Sequence, residues 1–125
     1  MNTVQFDPNG GPLVAEVRCA FAQPGSYSML LWEADANLVV MRRDGNYINA
    51  ADDAYELPGP NAQNHRRIVE CISTVVVTPP VTNYQVDLVV SQDGQVLGGD
   101  SAAASTTSAA VTVDLFVQLL AGGAA

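Results

Sequence analysis

Apolar and polar positions alternate along most of this chain. Leu13, Ala15, Val17, Cys19 and Phe21 alternate with Val14, Glu16, Arg18 and Ala20. Side chains two positions apart share one face of an extended strand, so one side of this segment faces a core. Tyr84, Val86, Leu88 and Val90 alternate in the same way with Gln85, Asp87 and Ser91. Residues 67–78 (RIVECISTVVVT) are β-branched almost throughout and are stopped by Pro79 and Pro80, which reads as another strand.

The stretch from 27 to 41 (YSMLLWEADANLVVM) is apolar on both strand faces before its turn-forming middle. It predicts a hairpin in the middle of a sheet, with Trp32 in the core and other strands packed over both sides. The run before it, FAQPGSY, leads into a strand in the manner of many Ig-like and jelly-roll sandwiches and so names no family. A short extended piece is expected at Thr3–Phe6. Asp44-Gly45 and Asp93-Gly94 each lie between extended residues and predict tight hairpins, the first returning through Tyr47 and Ile48. Residues 49–64 hold Pro58-Gly59-Pro60 and predict a long loop that carries function or covers a sheet edge.

Residues 99–109 are small, polar and repetitive, as linkers are. Beyond them, the alternation of Val111, Val113, Leu115, Val117 and Leu119 predicts a last strand over 110–120, against a rival short helix that the β-branched content disfavours. The domain reading is a body at 1–98, a linker at 99–109, and a C-terminal strand and tail at 110–125. That strand belongs to the same domain or docks on a neighbouring subunit. The fold class is all-β, a single antiparallel β-sandwich of Ig-like or jelly-roll type with about eight strands.

Composition narrows the functional classes. The chain has 125 residues, 48% hydrophobic and 14% charged, enough for one buried core and too apolar for disorder. It lacks the uncharged apolar run of about 18 residues that a membrane-spanning helix needs. Thirteen acidic residues against five basic ones give a net charge of −8, which repels phosphate backbones and anionic lipid heads. Nucleic acid and membrane surfaces are therefore not expected partners. The N-terminal residues MNTVQFDPNGG have neither the basic nor the apolar region of a secretory signal, so a cytoplasmic chain, or one exported as part of an assembly, is expected. Cys19 and Cys71 fall on apolar strand faces, as two buried thiols or one cross-sheet disulfide.

Catalytic motifs are missing. His65 occurs once and stands beside Arg66 and Arg67, whose charge disfavours its protonated form. Gly99-Asp100-Ser101 matches the nucleophile block of GDS-type hydrolases, yet no histidine follows it to serve as base. No phosphate loop, dinucleotide fingerprint or pair of carboxylates in an apolar frame is visible. No cofactor and no enzymatic activity are expected.

Two binding clusters stand out. Asp44, Asn46, Asn49, Asp52 and Asp53 supply oxygen ligands of the kind calcium needs, without the EF-hand order. Tyr47 and Tyr55 with His65, Arg66 and Arg67 offer aromatic and guanidinium groups suited to a glycan or a protein ligand. All five cations are arginine and four form adjacent pairs, Arg42-Arg43 and Arg66-Arg67, which suits bidentate contact with acidic patches on another copy. The leading expectation is a structural, self-associating sandwich, a shell, filament, tail or inclusion subunit forming a homo-oligomer. A ligand-binding module on residues 44–67, lectin-like or calcium-assisted, is the alternative.

Overall fold

The computed structural model describes residues 1–21, 23–47, 53–80 and 82–122. Among the described residues nine strands follow in order: β1 (Asn2–Phe6), β2 (Leu13–Ala20), β3 (Gly25–Trp32), β4 (Val39–Asn46), β5 (Asp53–Glu56), β6 (Ile68–Val76), β7 (Asn83–Gln92), β8 (Gln95–Ser105) and β9 (Ala110–Ala121). A short 3-10 turn covers Asn61–Asn64. One sheet has the order β1-β9-β6-β3-β4 and the other β5-β2-β7-β8.

The alternating segments behave as their pattern dictates. Leu13, Ala15 and Val17 on β2, and Val86, Leu88 and Val90 on β7, are buried and share one core with Met29, Leu31, Val69, Leu115, Val117 and Leu119 of the larger sheet. The inner faces of the two sheets thus meet over a common apolar layer, as burial of strand faces requires. Asp93 (φ 52°) and Gly94 (φ 78°) both adopt the left-handed conformation, the geometry of a two-residue hairpin joining β7 to β8. Residues 110–121 are strand, as their valines favour.

Several expectations fail for physical reasons. The larger sheet is mixed rather than antiparallel: β1 runs parallel to β9, with Asn2 beside Val117 and Phe6 beside Ala121. That placement drops Val4 and Phe6 into the core. The Asp44-Gly45 pair is not a turn but part of β4, opposite Ser28 and Tyr27. A Cβ at Gly45 would collide with the Tyr27 ring, so the missing side chain serves a close approach between strands. The ladder continues through Tyr47, whose N–H donates to the Gly25 carbonyl; Ile48 lies outside the described residues.

Only β3 of the central pair is interior, between β4 and β6, while β4 is an edge strand. Among the described residues no strand layer covers the outer face of this sheet, so Trp32 lies there half-buried rather than in the core. Phe21 also leaves the core face, turning at φ 66° into half-exposed surface.

Residues 99–105, expected as linker, belong to β8 and pair along β7 from Gly99 beside Val89 to Ser105 beside Asn83. A backbone ladder needs no large side chains, so glycine, alanine and serine suffice on a strand that adds only Leu97 and Ala102 to the margin of the core. Within the long loop, β5 pairs with β2 and caps the edge of the smaller sheet. Cys19 and Cys71 are free thiols, half-buried and buried respectively. Burial, with the charges of Asp114 and Glu70 nearby, pushes the Cys71 thiol up to about 12.

Candidate functional site

Along β3, Trp32 lies five positions beyond Tyr27, which places them roughly 17 Å apart. The two ends organise different chemistry. At the Tyr27 end, the phenol donates to Asp53 Oδ2 at 2.5 Å and lies 2.5 Å from the Tyr55 hydroxyl. With its own proton spent on Asp53, Tyr27 accepts from Tyr55. Tyr47 stacks 5.6 Å from the Tyr27 ring and its hydroxyl meets Ser73 Oγ at 2.6 Å. Burial raises the pKa of both Tyr27 and Tyr47. The cluster ties β5 of one sheet to β3 of the other, and its tyrosines pack against the core.

The other end is built by arginine forks. Arg67 donates from Nε to Glu33 Oε1 (3.1 Å) and from Nη2 to Glu33 Oε2 (3.0 Å). It also donates to Asn64 Oδ1, and Asn64 donates to the Pro58 carbonyl. Arg66 grips Asp35 through both terminal nitrogens at 2.9 Å. Bidentate pairs of this kind fix geometry as well as charge. They clamp the segment between β3 and β4. His65 Nδ1 accepts the Ala121 N–H at 3.0 Å, so this imidazole is engaged with the end of β9.

The five expected binding residues therefore do not share one surface. Tyr47 and Tyr55 serve the tyrosine cluster, while His65, Arg66 and Arg67 serve the opposite end. The calcium candidates divide as well. Asp44 accepts from Ser28 and Arg42 on the outer face of the larger sheet, whereas Asp53 turns inward to Tyr27. Asn46 sits opposite Ser26 on β4. Asn49 and Asp52 lie outside the described residues. Among the described residues, no group of three histidine, cysteine or carboxylate side chains is placed to hold a metal ion.

Sequence reasoning missed the arrangement on that outer face. Its side chains fall into rows across the strands: Arg42, Leu30, Glu70 and Phe116 in one, and Asp44, Ser28, Ile72 and Asp114 in the next. Glu70 is buried, at 7% exposure. Its Oε1 accepts the Trp32 indole N–H at 2.9 Å, and it shares a hydrogen bond with Asp114. Burial first, and then the bond to Asp114 and its charge, hold the Glu70 carboxyl above the usual range, with the indole N–H opposing. This is a carboxyl pair in an apolar frame, the feature expected to be absent. Its members come from β6 and β9, 44 positions apart in sequence, where no local spacing reports them.

Beside the pair lies a depression of about 440 Å³ lined by Trp32, Ile68, Glu70 and Phe116, with Glu33 and Asp35 on its rim. The arginine forks neutralise the rim carboxylates. Among the described residues, no ion pair with arginine reaches Glu70 or Asp114. In comparisons with known proteins, no family model matches the chain, and no curated protein or solved structure matches it.

Proposed function

We propose that the chain is a non-enzymatic β-sandwich building block that associates with copies of itself. The observation that carries this reading is the contrast between its two outer faces. On the smaller sheet the outward positions of β2 and β7 include Glu16, Arg18, Gln85 and Asp87, which bond to one another within each strand. On the larger sheet the outward positions include Leu30, Trp32, Ile68, Ile72, Val76 and Phe116. Ile72 and Val76 are 39% and 43% exposed. Apolar side chains from three strands here alternate with Ser28, Glu70 and Asp114, and apolar surface left open among polar groups across several strands marks an interaction surface. The acidic net charge of −8 keeps such a body soluble while that face finds its partner.

Light scattering across a dilution series to tens of micromolar tests the reading, because association driven by mass action depends on concentration. A mass of two or more chains supports it. A strict monomer throughout the series removes it.

A further inference from the structure

The larger sheet also indicates how two copies meet. Across β4, β3 and β6, Arg42 pairs with Leu30 and Leu30 with Glu70, so a cation and a buried acid flank one apolar residue at one level. Arg42 bonds to Asp44 at 3.2 Å, with both side chains about 60% exposed. Such a surface pair is worth little and leaves Arg42 free to take a second carboxylate. Glu70, one strand beyond Leu30, and Asp114, two strands beyond it and one row along, form the acid pair that no arginine of the same chain neutralises among the described residues.

Two ways of laying this face on its own copy differ in charge. A two-fold axis running across the strands sets Arg42 against Arg42 and Glu70 against Glu70, placing like charges together. A two-fold axis running along β3 reverses the lateral order and keeps the level. Arg42 of each copy then lies opposite Glu70 of the other, with Leu30 against Leu30. One row further, Val39 lies opposite Ile68, since Val39 and Ile68 flank Trp32 as Arg42 and Glu70 flank Leu30. Stacked sheets sit about 10 Å apart, a gap that an arginine side chain from one side and a glutamate from the other can bridge.

We infer that the outer face of the larger sheet is a homodimer interface with its two-fold axis along β3, in which Arg42 of each copy pairs with the Glu70–Asp114 acids of the other. This deepens the self-association reading and rests on it. Isologous contact of one patch with itself is the commonest route to a closed dimer. Here it also buries Val39, which a single chain leaves 38% exposed, against Ile68 of the other copy.

Sedimentation equilibrium of the full chain decides it, using Arg42→Glu and Ile72→Glu, both at exposed positions, with Val89→Glu on the outer face of the other sheet as control. Each of the first two is expected to weaken dimerisation at least about tenfold through like-charge contact or a desolvated carboxylate, while Val89→Glu leaves it unchanged. A Ser28→Cys variant, whose thiol lies over the axis, is expected to cross-link to its own copy through a short bis-maleimide linker. If the native chain dimerises but both face variants dimerise equally well, the interface is wrong while self-association stands. Association through this face without the Ser28→Cys cross-link overturns the axis. A monomeric native chain removes both.

Discussion

Arg67 holds Glu33 through two parallel hydrogen bonds of 3.1 and 3.0 Å, and the guanidinium is buried while the carboxylate stays at the rim. The bonds from Arg67 and from the Ala34 N–H hold the Glu33 carboxyl below the usual range. A carboxyl whose folded pKa is depressed stabilises the fold above its ordinary value and loses that contribution as pH falls. Arg67→Ala is therefore expected to lower the melting temperature at pH 7, with the gap to the native chain narrowing once the pH drops below 4.5. Arg67→Lys restores only part of the loss, because an ammonium cannot reproduce the fork. Thermal melts over a pH series check both.

Glu70 has the opposite sign. Its carboxyl is raised by burial and by Asp114, so the folded state favours the protonated form. Stability is lost as pH climbs from the ordinary glutamate value of 4.5 through the raised one. Glu70→Gln keeps an acceptor for the Trp32 indole and removes the charge. At dilutions where the chain is monomeric and no Arg42 of a second copy reaches the site, it is expected to melt higher than the native chain at pH 7 and to lose that advantage toward pH 4.5. Trp32 fluorescence follows the transition at the site itself.

Tyr27→Phe deletes one hydroxyl and unbalances two partners, since Asp53 loses a donor and Tyr55 an acceptor. Leaving part-buried polar groups without these partners costs about 1 kcal/mol. Urea denaturation is expected to show that loss with an unchanged slope.

Gly45→Ala places a methyl group where the Tyr27 ring lies. Overpacking against a ring that is hydrogen-bonded at its far end costs about 1–3 kcal/mol, read from the same denaturation curves. The double variant Gly45→Ala with Tyr27→Ala relieves the collision, so the two losses sum to more than the pair together.

The two-residue rhythm of β2, β7 and β9 was legible because each of those strands has one face on a core, so burial is printed in the local order of residues. β8 was not, because its pairing with β7 is a backbone matter and Gly, Ala and Ser carry no facial signature. Gly45 misled for a related reason: glycine marks a turn and a close approach alike, and only the position of Tyr27 tells them apart. The sequence shows Tyr47 and Tyr55 as a pair of aromatics but does not show that they face inward, since Tyr27, the residue that draws them in, lies at least 20 positions away from either. The Glu70–Asp114 pair and the parallel β1–β9 contact depend on which strands become neighbours, and that is settled by the whole core at once.

The parallel contact carries a consequence for how the molecule comes into being. β9, last in chain order of the nine strands among the described residues, fills the gap between β1, first in that order, and β6. Until it arrives, β1 has no ladder to join, and its Val4 and Phe6 stay in water. Contacts spanning nearly the whole chain are slow to form. Completion of the larger sheet is therefore a late event in folding, and until it happens the unpaired β1 is open to pairing with a strand of another chain.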